Sequence, residues 1–418
     1  MEPESRKTTG SDWLGRYYTF GDISRVLIDQ MHGQTPSRIL DLGSGAGALS
    51  IAALQRWEDA EILTVDVDES AGIKLGAKLS NLPSCGKHRH VCADALSDHL
   101  PSLIASQAPE IDAAVCNPPF VVPKWRDGFA EILEDAGFNS CLPSVNNVDA
   151  ALLFLAQNLR LIKDGSTVGI ILPDTLVSGA RYRNFRRQLV ERYCVERAIR
   201  LPRHSFSKTD AQAHILIISK RKPTTDRTSL FRLDDSHKLS NGLQVNLDKA
   251  IDRLDYEYHA QSTTSHSVGF KYQLLSELGV TLKRGSHTSA QAKHAETPIL
   301  HTSNIQLSDY GKWCDLSCFS FKSATQNLPG RELAIARPGD ILIARVGRNL
   351  EHKVIGVKNG NPLITDCVLR LRAPALYRKK ILTQLSSPIG SAWLASRAHG
   401  VGARIITHDD VLSFPLAL

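Results

Sequence analysis

Residues 37–70 read SRILDLGSGAGALSIAALQRWEDAEILTVDVDES. RIL is apolar and β-branched enough for a buried strand, ALSIAALQRW carries a helical pattern, and EILTVDV reads as a second strand. Strand, helix, strand in that rhythm is the signature of a βαβ unit in a mostly parallel sheet. The link after the first strand is Asp41-Leu42-Gly43-Ser44-Gly45-Ala46-Gly47. Glycines there allow a tight turn and a close approach of backbone to ligand, with the helix N-terminus facing it. Dinucleotide enzymes prefer GxGxxG, whereas here the spacing is GxGxG behind an acid. At the end of the second strand, about 19 residues beyond Gly47, stands Asp66, where a carboxylate can bind both hydroxyls of a ribose. Together the two features fit an adenosine-bearing cofactor. Asp68 or Glu69 better suits the ordinary role of a charge at a helix N-terminus.

Outward from this unit the alternation continues. DESAGIKLGAKLSNL is helix-like, and HRHVCADAL and IDAAVCNPP follow as strands with their loops. DAALLFLAQNLRLIKDG leads into STVGIILPD, and RYRNFRRQLVERYC leads into VERAIRLP and AHILIISK. The pattern predicts an α/β domain over residues 1–222 with roughly seven strands. After Lys222 the polar stretches KPTTDRTS and HAQSTTSHS predict a linker and lead-in segment over 223–268. Over 269–418 shorter strands and turns predict a mixed α/β domain closed by helix-like ILTQLSSPIGSAWLASRA.

At 418 residues the chain is long enough for two or three cores, and its 42% hydrophobic and 22% charged content excludes wholesale disorder. No run of 18 apolar residues exists, and MEPESRKTTG lacks the apolar region of a secretion signal, so the expected setting is cytoplasmic with no membrane partner. Of the eight cysteines none forms a CxxC pair, so no metal site is expected, and Cys92, Cys116 and Cys194 in apolar runs read as buried thiols. Residues 1–270 hold 31 Lys and Arg against 33 Asp and Glu, whereas 271–418 hold 19 against 10. The whole basic excess lies in the last third, which points to a polyanion as its partner.

Asn117-Pro118-Pro119-Phe120 directly follows the strand IDAAVC. Two prolines at a strand end make a rigid segment partly stripped of N–H donors, which presents oxygens in a fixed geometry. The Asn117 amide oxygen and the Pro118 carbonyl can accept both hydrogens of a planar amino group while Phe120 stacks on its ring.

With these residues in place the chain resembles the S-adenosylmethionine-dependent amino-methyltransferases, in particular the N6-adenine DNA methyltransferases whose cofactor motif precedes NPPF and whose target-recognition domain comes last. The resemblance implies a Rossmann-like methyltransferase sheet, S-adenosyl-L-methionine as cofactor and double-stranded DNA as partner. It implies that Asn117, Pro118, Pro119 and Phe120 are catalytic, and that Phe206, in HSFSKTDAQAHILIISK, stacks on the extruded base. It assigns Asp41, Gly43, Gly45, Asp66, Asp94 and Asn117 to the cofactor, together with Thr19 of GRYYTFGDISRVLIDQM, where the family usually has Thr-Pro and this chain has Thr19-Phe20. No covalent cysteine is needed, so Cys116 is expected to be a plain strand residue.

The last third resembles the target-recognition domains of type I restriction specificity subunits, through ILHTSNI, RPGDILIARVGR, ITDCVLRLR and the closing GVGARIITHDDVLSFPLAL. There Lys283, Arg284, Arg345, Arg348 and Lys353 are candidates to meet phosphates or base edges. The expectation is a site-specific adenine methyltransferase of a restriction-modification or phage-defence system, joining catalysis and recognition in one chain and served by a separate restriction endonuclease or other defence-system subunits. An RNA methyltransferase acting on guanine N2 or adenine N6, or a non-catalytic DNA-specificity protein, is the alternative.

Overall fold

The computed structural model describes residues 21–33, 35–80, 87–108, 110–138, 147–206, 210–264, 271–295, 297–320 and 333–418. Thr19 lies outside the described residues. The chain divides into two compact units, Met1–Tyr256 and Glu257–Leu418.

The first unit is built on nine strands: β1 (Arg38–Leu42), β2 (Glu61–Asp66), β3 (His88–Cys92), β4 (Ala113–Cys116), β5 (Thr167–Pro173), β6 (Cys194–Arg200), β7 (Ala213–Ser219), β8 (Arg227–Arg232) and β9 (Leu243–Asn246). Their order is β3-β2-β1-β4-β5-β7-β6-β8-β9. The first five run parallel, while β7 is inserted antiparallel between β5 and β6. Because helices cover both faces, the central strands read as near-continuous apolar runs, and alternate residues feed two separate cores. Leu40, Leu42, Ala114, Ile170 and Leu172 join one core. Ile39, Ala113, Val115 and Ile171 join the other.

Helices α1 (Gly21–Gln30), α2 (Ala48–Arg56) and α3 (Glu69–Leu79) contribute to the second core. Helices α4 (Leu100–Gln107), α5 (Phe129–Asp135), α6 (Ala150–Leu161), α7 (Asp174–Ser178) and α8 (Arg183–Arg192) contribute to the first. Asp68 caps α3, its side chain accepting from the Ser70 amide at 3.0 Å, so Asp66 is not the capping acid.

The stretch expected to be a linker departs from that reading. Residues 227–246 form β8 and β9 at the sheet edge, β8 parallel to β6 and β9 antiparallel to β8. β9 is the edge and β8 lies between it and β6; their polar, alternating pattern is that of strands with one solvated face, which makes it easy to mistake for a linker. Arg186, 1% exposed, then ties the following segment to the end of α7, donating to the carbonyls of Ile251 and Asp252 on one and of Leu176 and Gly179 on the other. The thiols also depart from expectation. Cys116 is buried, but Cys194 opens β6 half-buried and Cys92 is exposed on the edge strand β3.

The second unit has a five-stranded sheet of β11 (Thr281–Arg284), β12 (Trp313–Asp315), β13 (Ile341–Ala344), β15 (Val354–Asn359) and β16 (Val368–Arg372), in the order β11-β16-β13-β15-β12. Two small pairs accompany it: β10 (Tyr272–Leu274) with β18 (Pro415–Ala417), and β14 (Val346–Gly347) with β17 (Arg404–Ile405). The closing apolar stretch is two helices, Ala375–Leu385 and Pro388–Arg397, rather than one. Ser387 caps the second by accepting from the Gly390 amide at 3.1 Å, and Pro388 opens it, which a continuous helix would not tolerate.

Candidate active site

The carboxyl ends of β1, β2 and β4 face one cavity of about 750 Å³. This is the crevice where the parallel strand order reverses, β2 lying on one side of β1 and β4 on the other. The glycine turn lies along it, with Gly43, Gly45 and Gly47 at φ of 72°, 49° and 78°. Such left-handed backbone strains any residue with a Cβ. Space restricts two of these positions as well: a Cβ on Gly47 would lie 2.3 Å from Leu75, and one on Gly43 would lie 3.2 Å from the Phe154 ring.

Asp66 holds the turn in place. Its Oδ2 accepts from the Gly45 amide at 2.8 Å and its Oδ1 from the Asp68 amide at 2.9 Å, while the Gly43 amide donates to the Val65 carbonyl at 2.7 Å. Asp41, 1% exposed, accepts from the Ser50 hydroxyl at 2.6 Å. Burial pushes its carboxyl up to about 7, against the Ser50 hydrogen bond and helped by the nearby Asp66 charge. Asp94 accepts from the Leu96 amide at 2.9 Å and pairs with Arg126 at 2.6 Å, a partner that no motif marks.

Asn117 and Pro119 reach the same cavity from the end of β4, and Val121 to Lys124 continue its wall. The Ala150 amide donates to the Val121 carbonyl at 2.8 Å and so ties this wall to α6, which supplies Phe154. Of the cofactor residues expected from sequence, Asp41, Gly43, Gly45, Asp66, Asp94 and Asn117 therefore line one cavity. Val67, Leu49 and Phe154 line it too without having been singled out; an apolar residue in an apolar run carries no signal of its own. Ser44 Oγ is a buried hydroxyl of this turn with no hydrogen-bond partner among the described residues, so the pocket offers polar as well as apolar contact to a ligand.

Cys116 is shut off from this chemistry. Its thiol donates to the Leu42 carbonyl at 3.2 Å, and burial pushes it well above the usual thiol range, with the Asp41 charge adding to the effect. Pro118 is buried, and Phe120 is half-buried against both cores. Phe206 is 2% exposed and meets Phe120 edge to face, ring centroids 6.0 Å apart and planes at 78°. A base sandwiched between two parallel rings needs them about 7 Å apart, twice a van der Waals contact, so these rings must reorient to admit one.

The candidate nucleic-acid residues lie in the second unit. Arg284 ends β11 and Arg345 follows β13, and the fold brings both to Asp366, Arg284 to its carboxylate at 2.7 Å and Arg345 to its carbonyl at 2.7 Å. Lys353, just before β15, donates to the Thr302 carbonyl at 2.6 Å. Arg348 is exposed, and Lys283 is half-buried within β11. Among the described residues no helix is long and apolar enough to cross a membrane.

A family model described as N-6 DNA Methylase matches residues 6–267. The type I restriction enzyme MjaVII methylase subunit of Methanocaldococcus jannaschii is 23% identical over 257 residues, 57% of this chain and 44% of that protein. The tRNA1(Val) (adenine(37)-N6)-methyltransferase of Flavobacterium psychrophilum is 29% identical over 123 residues, 29% of this chain and 50% of that protein. The chain spans about half the length of these curated relatives. Among solved structures, the type IIG restriction endonuclease BpuSI aligns with a TM-score of 0.49 at 12% identity, covering 95% of this chain and 57% of that one.

Proposed function

Since the chain belongs to the N-6 DNA methylase family, we propose that it is an S-adenosylmethionine-dependent methyltransferase acting on N6 of an adenine extruded from duplex DNA. The observation that carries this reading is the convergence of Asp41, Asp66, Asp94, Asn117 and Pro119 on one cavity at the ends of the parallel strands. When bound, S-adenosylmethionine supplies an electrophilic methyl group on a sulfonium sulfur. In this reading Asp66 and Asp94 fix the adenosine end, and Asn117 with the Pro118 carbonyl holds the two hydrogens of the target amine so that its lone pair faces the methyl group. Positioning of this kind is the largest contribution a protein can make to an in-line displacement. An adenine inside a duplex is out of reach, so extrusion at a cost of a few kcal/mol is part of the reaction, offset by stacking on Phe120 and Phe206.

Duplex DNA is favoured as substrate by the basic excess of residues 271–418, and by the type I methylase subunit matching along 257 residues where the transfer-RNA methyltransferase matches along 123. The second unit is read as the target-recognition domain, with Arg284, Arg345 and Lys353 toward the DNA. A separate restriction endonuclease is the partner such a modification enzyme would serve. The RNA match supports a second reading, in which the same pocket takes an adenine from a folded RNA.

Single-molecule sequencing of DNA from cells producing the protein, against cells producing Asn117→Ala, tests the function. The expected result is N6-methyladenine within one sequence motif, present only with the unsubstituted chain. Unmodified DNA from cells with soluble, cofactor-binding protein would overturn the DNA reading.

The Asp41 environment gives a pH dependence. Its folded-state value of about 7 stands above its ordinary 3.8, so its contribution to stability is complete below 3.8 and is lost as pH rises through about 7. A cationic ligand in the cavity favours the charged form and draws the proton off. S-adenosylmethionine affinity is therefore expected to rise several-fold between pH 6 and pH 8, with proton release detectable by calorimetry in buffers of different ionisation enthalpy. Asp41→Asn should flatten that profile; an unchanged profile would remove Asp41 as its source.

A further inference from the structure

β6 and β7 are antiparallel neighbours, and the connection between them carries Phe206. At its mouth Arg200 lies directly opposite His214. Both grip the same atom, Asp255 Oδ2: the His214 Nε2 is 2.9 Å away, and the Arg200 guanidinium donates to it as an ion pair. Asp255 is 1% exposed and His214 is fully buried.

Gln212 extends the clamp into the connection itself. Its side-chain oxygen accepts from Arg200 at 3.2 Å, its amide donates to the Leu201 carbonyl at 2.7 Å, and its backbone carbonyl accepts from the Asp174 amide at 3.1 Å. The Leu201 amide donates to the Ala213 carbonyl at 3.0 Å. On the far side of the His214 ring, Nδ1 faces Asp174 Oδ1 at 3.8 Å, and Ser178 donates to that same oxygen at 2.9 Å.

Burying two acids and a histidine together beside a part-buried arginine is costly, and apolar side chains of similar volume would serve stability as well or better. What apolar packing does not supply is a fixed direction for the chain leaving β6 and returning to β7, which the directional hydrogen bonds of Asp255 with His214 and Arg200, and of Gln212 with Arg200 and Leu201, do. Asp174, His214 and Asp255 are also the group, among the described residues, whose potential ligand atoms all lie within 4.8 Å. Arg200 already sits on the Asp255 oxygen that meets His214, so a guanidinium supplies the positive charge at that spot.

We infer that Asp255 is a positioning residue for the target base: by holding Arg200 and His214 together it fixes the root of the connection and sets where Phe206 lies against Phe120. The inference rests on the reading of Phe206 as the base-stacking ring. With the edge-to-face contact at 6.0 Å, the ring has to turn or retreat when a base enters, and a root tied to the sheet lets it do so without the connection losing its place.

The test uses the full chain with 4-trifluoromethylphenylalanine at position 206, with and without Asp255→Asn, followed by fluorine NMR. Asparagine keeps the shape and one acceptor but removes the charge that holds both partners. A single resonance is expected for the unsubstituted clamp, and a shifted, broadened or doubled one for Asp255→Asn. The affinity for S-adenosylhomocysteine should change less than twofold, because the cofactor cavity does not include this cluster. On substrate DNA, kcat should fall at least tenfold with the KM for S-adenosylmethionine unchanged. An unchanged resonance overturns the inference whatever the activity, and so does a change accompanied by equal loss of cofactor binding, which marks general damage. If Asp255→Asn does not fold, Gln212→Ala, which cuts the link to the connection but leaves the charged pair, must give the same resonance change. A chain that methylates no DNA would overturn the proposed substrate while the fluorine signal still decides on the clamp.

Discussion

Asn117→Ala is expected to lower the rate of methyl transfer about 10³-fold, while S-adenosylhomocysteine still binds within about threefold of its normal affinity. The exocyclic nitrogen of adenine shares its lone pair with the ring and is a poor nucleophile. Two acceptors in the plane of its hydrogens, the Asn117 amide oxygen and the Pro118 carbonyl, return that density to nitrogen, and alanine leaves only one. The loss falls on the chemical step because the amine gains positive charge only as the methyl group arrives, so the acceptors matter most at the transition state. Asn117 follows the four fully or nearly fully buried residues of β4, so the substitution leaves the sheet core intact. Single-turnover methyl transfer beside calorimetric cofactor binding measures both quantities. A rate within tenfold of normal would remove Asn117 from the chemistry.

Asp66→Ala should act on the other quantity. A ribose bound by a carboxylate loses two charge-assisted hydrogen bonds of about 1.5–3 kcal/mol each, so cofactor affinity should fall 10²-fold or more while the maximal rate at saturating cofactor drops far less. The same carboxylate also accepts from the Gly45 and Asp68 amides, so the turn is expected to loosen as well. Asp66→Asn separates the two effects. Its amide oxygen can still accept from Gly45, but its NH₂ group opposes the Asp68 N–H, and an intermediate affinity is expected. Calorimetry with S-adenosylhomocysteine gives the affinities and thermal melting gives the stability. An affinity within threefold of normal in a stably folded Asp66→Ala chain would remove the carboxylate from cofactor binding.

Much of the first unit was legible because its parallel strands are buried on both faces. Such strands write themselves as continuous apolar runs, and RILDL, EILTVD and TVGIILP appear in the fold as β1, β2 and β5. The glycine turn was legible for a similar reason. Backbone at φ of 49° to 78° admits little but glycine, so the geometry leaves its mark as GSGAG. Asp66 could be told from Asp68 because a cap must stand where a helix begins, and Asp68 does. Strands near the margin of the sheet, with one face in solvent, carry no such mark. β8 and β9 alternate polar with apolar residues and resemble a linker, and Cys92 on β3 shares an apolar-looking run yet points to solvent.

The sequence alone determined the βαβ rhythm, the glycine turn, and the order of Asp41, Asp66, Asp94 and Asn117 along the chain, since each depends on residues a few positions apart. Only the tertiary structure decided which distant groups meet. It placed Arg126 on Asp94, set Arg284 and Arg345 around Asp366, buried Phe206 edge-on to Phe120, and brought Asp255 to the pair formed by Arg200 and His214. The reason is physical. A local conformation is selected by the steric and hydrogen-bonding needs of its own residues, whereas a contact between residues 41 or 55 positions apart depends on how the whole sheet is ordered, and a single sequence does not encode strand order in any one stretch of residues.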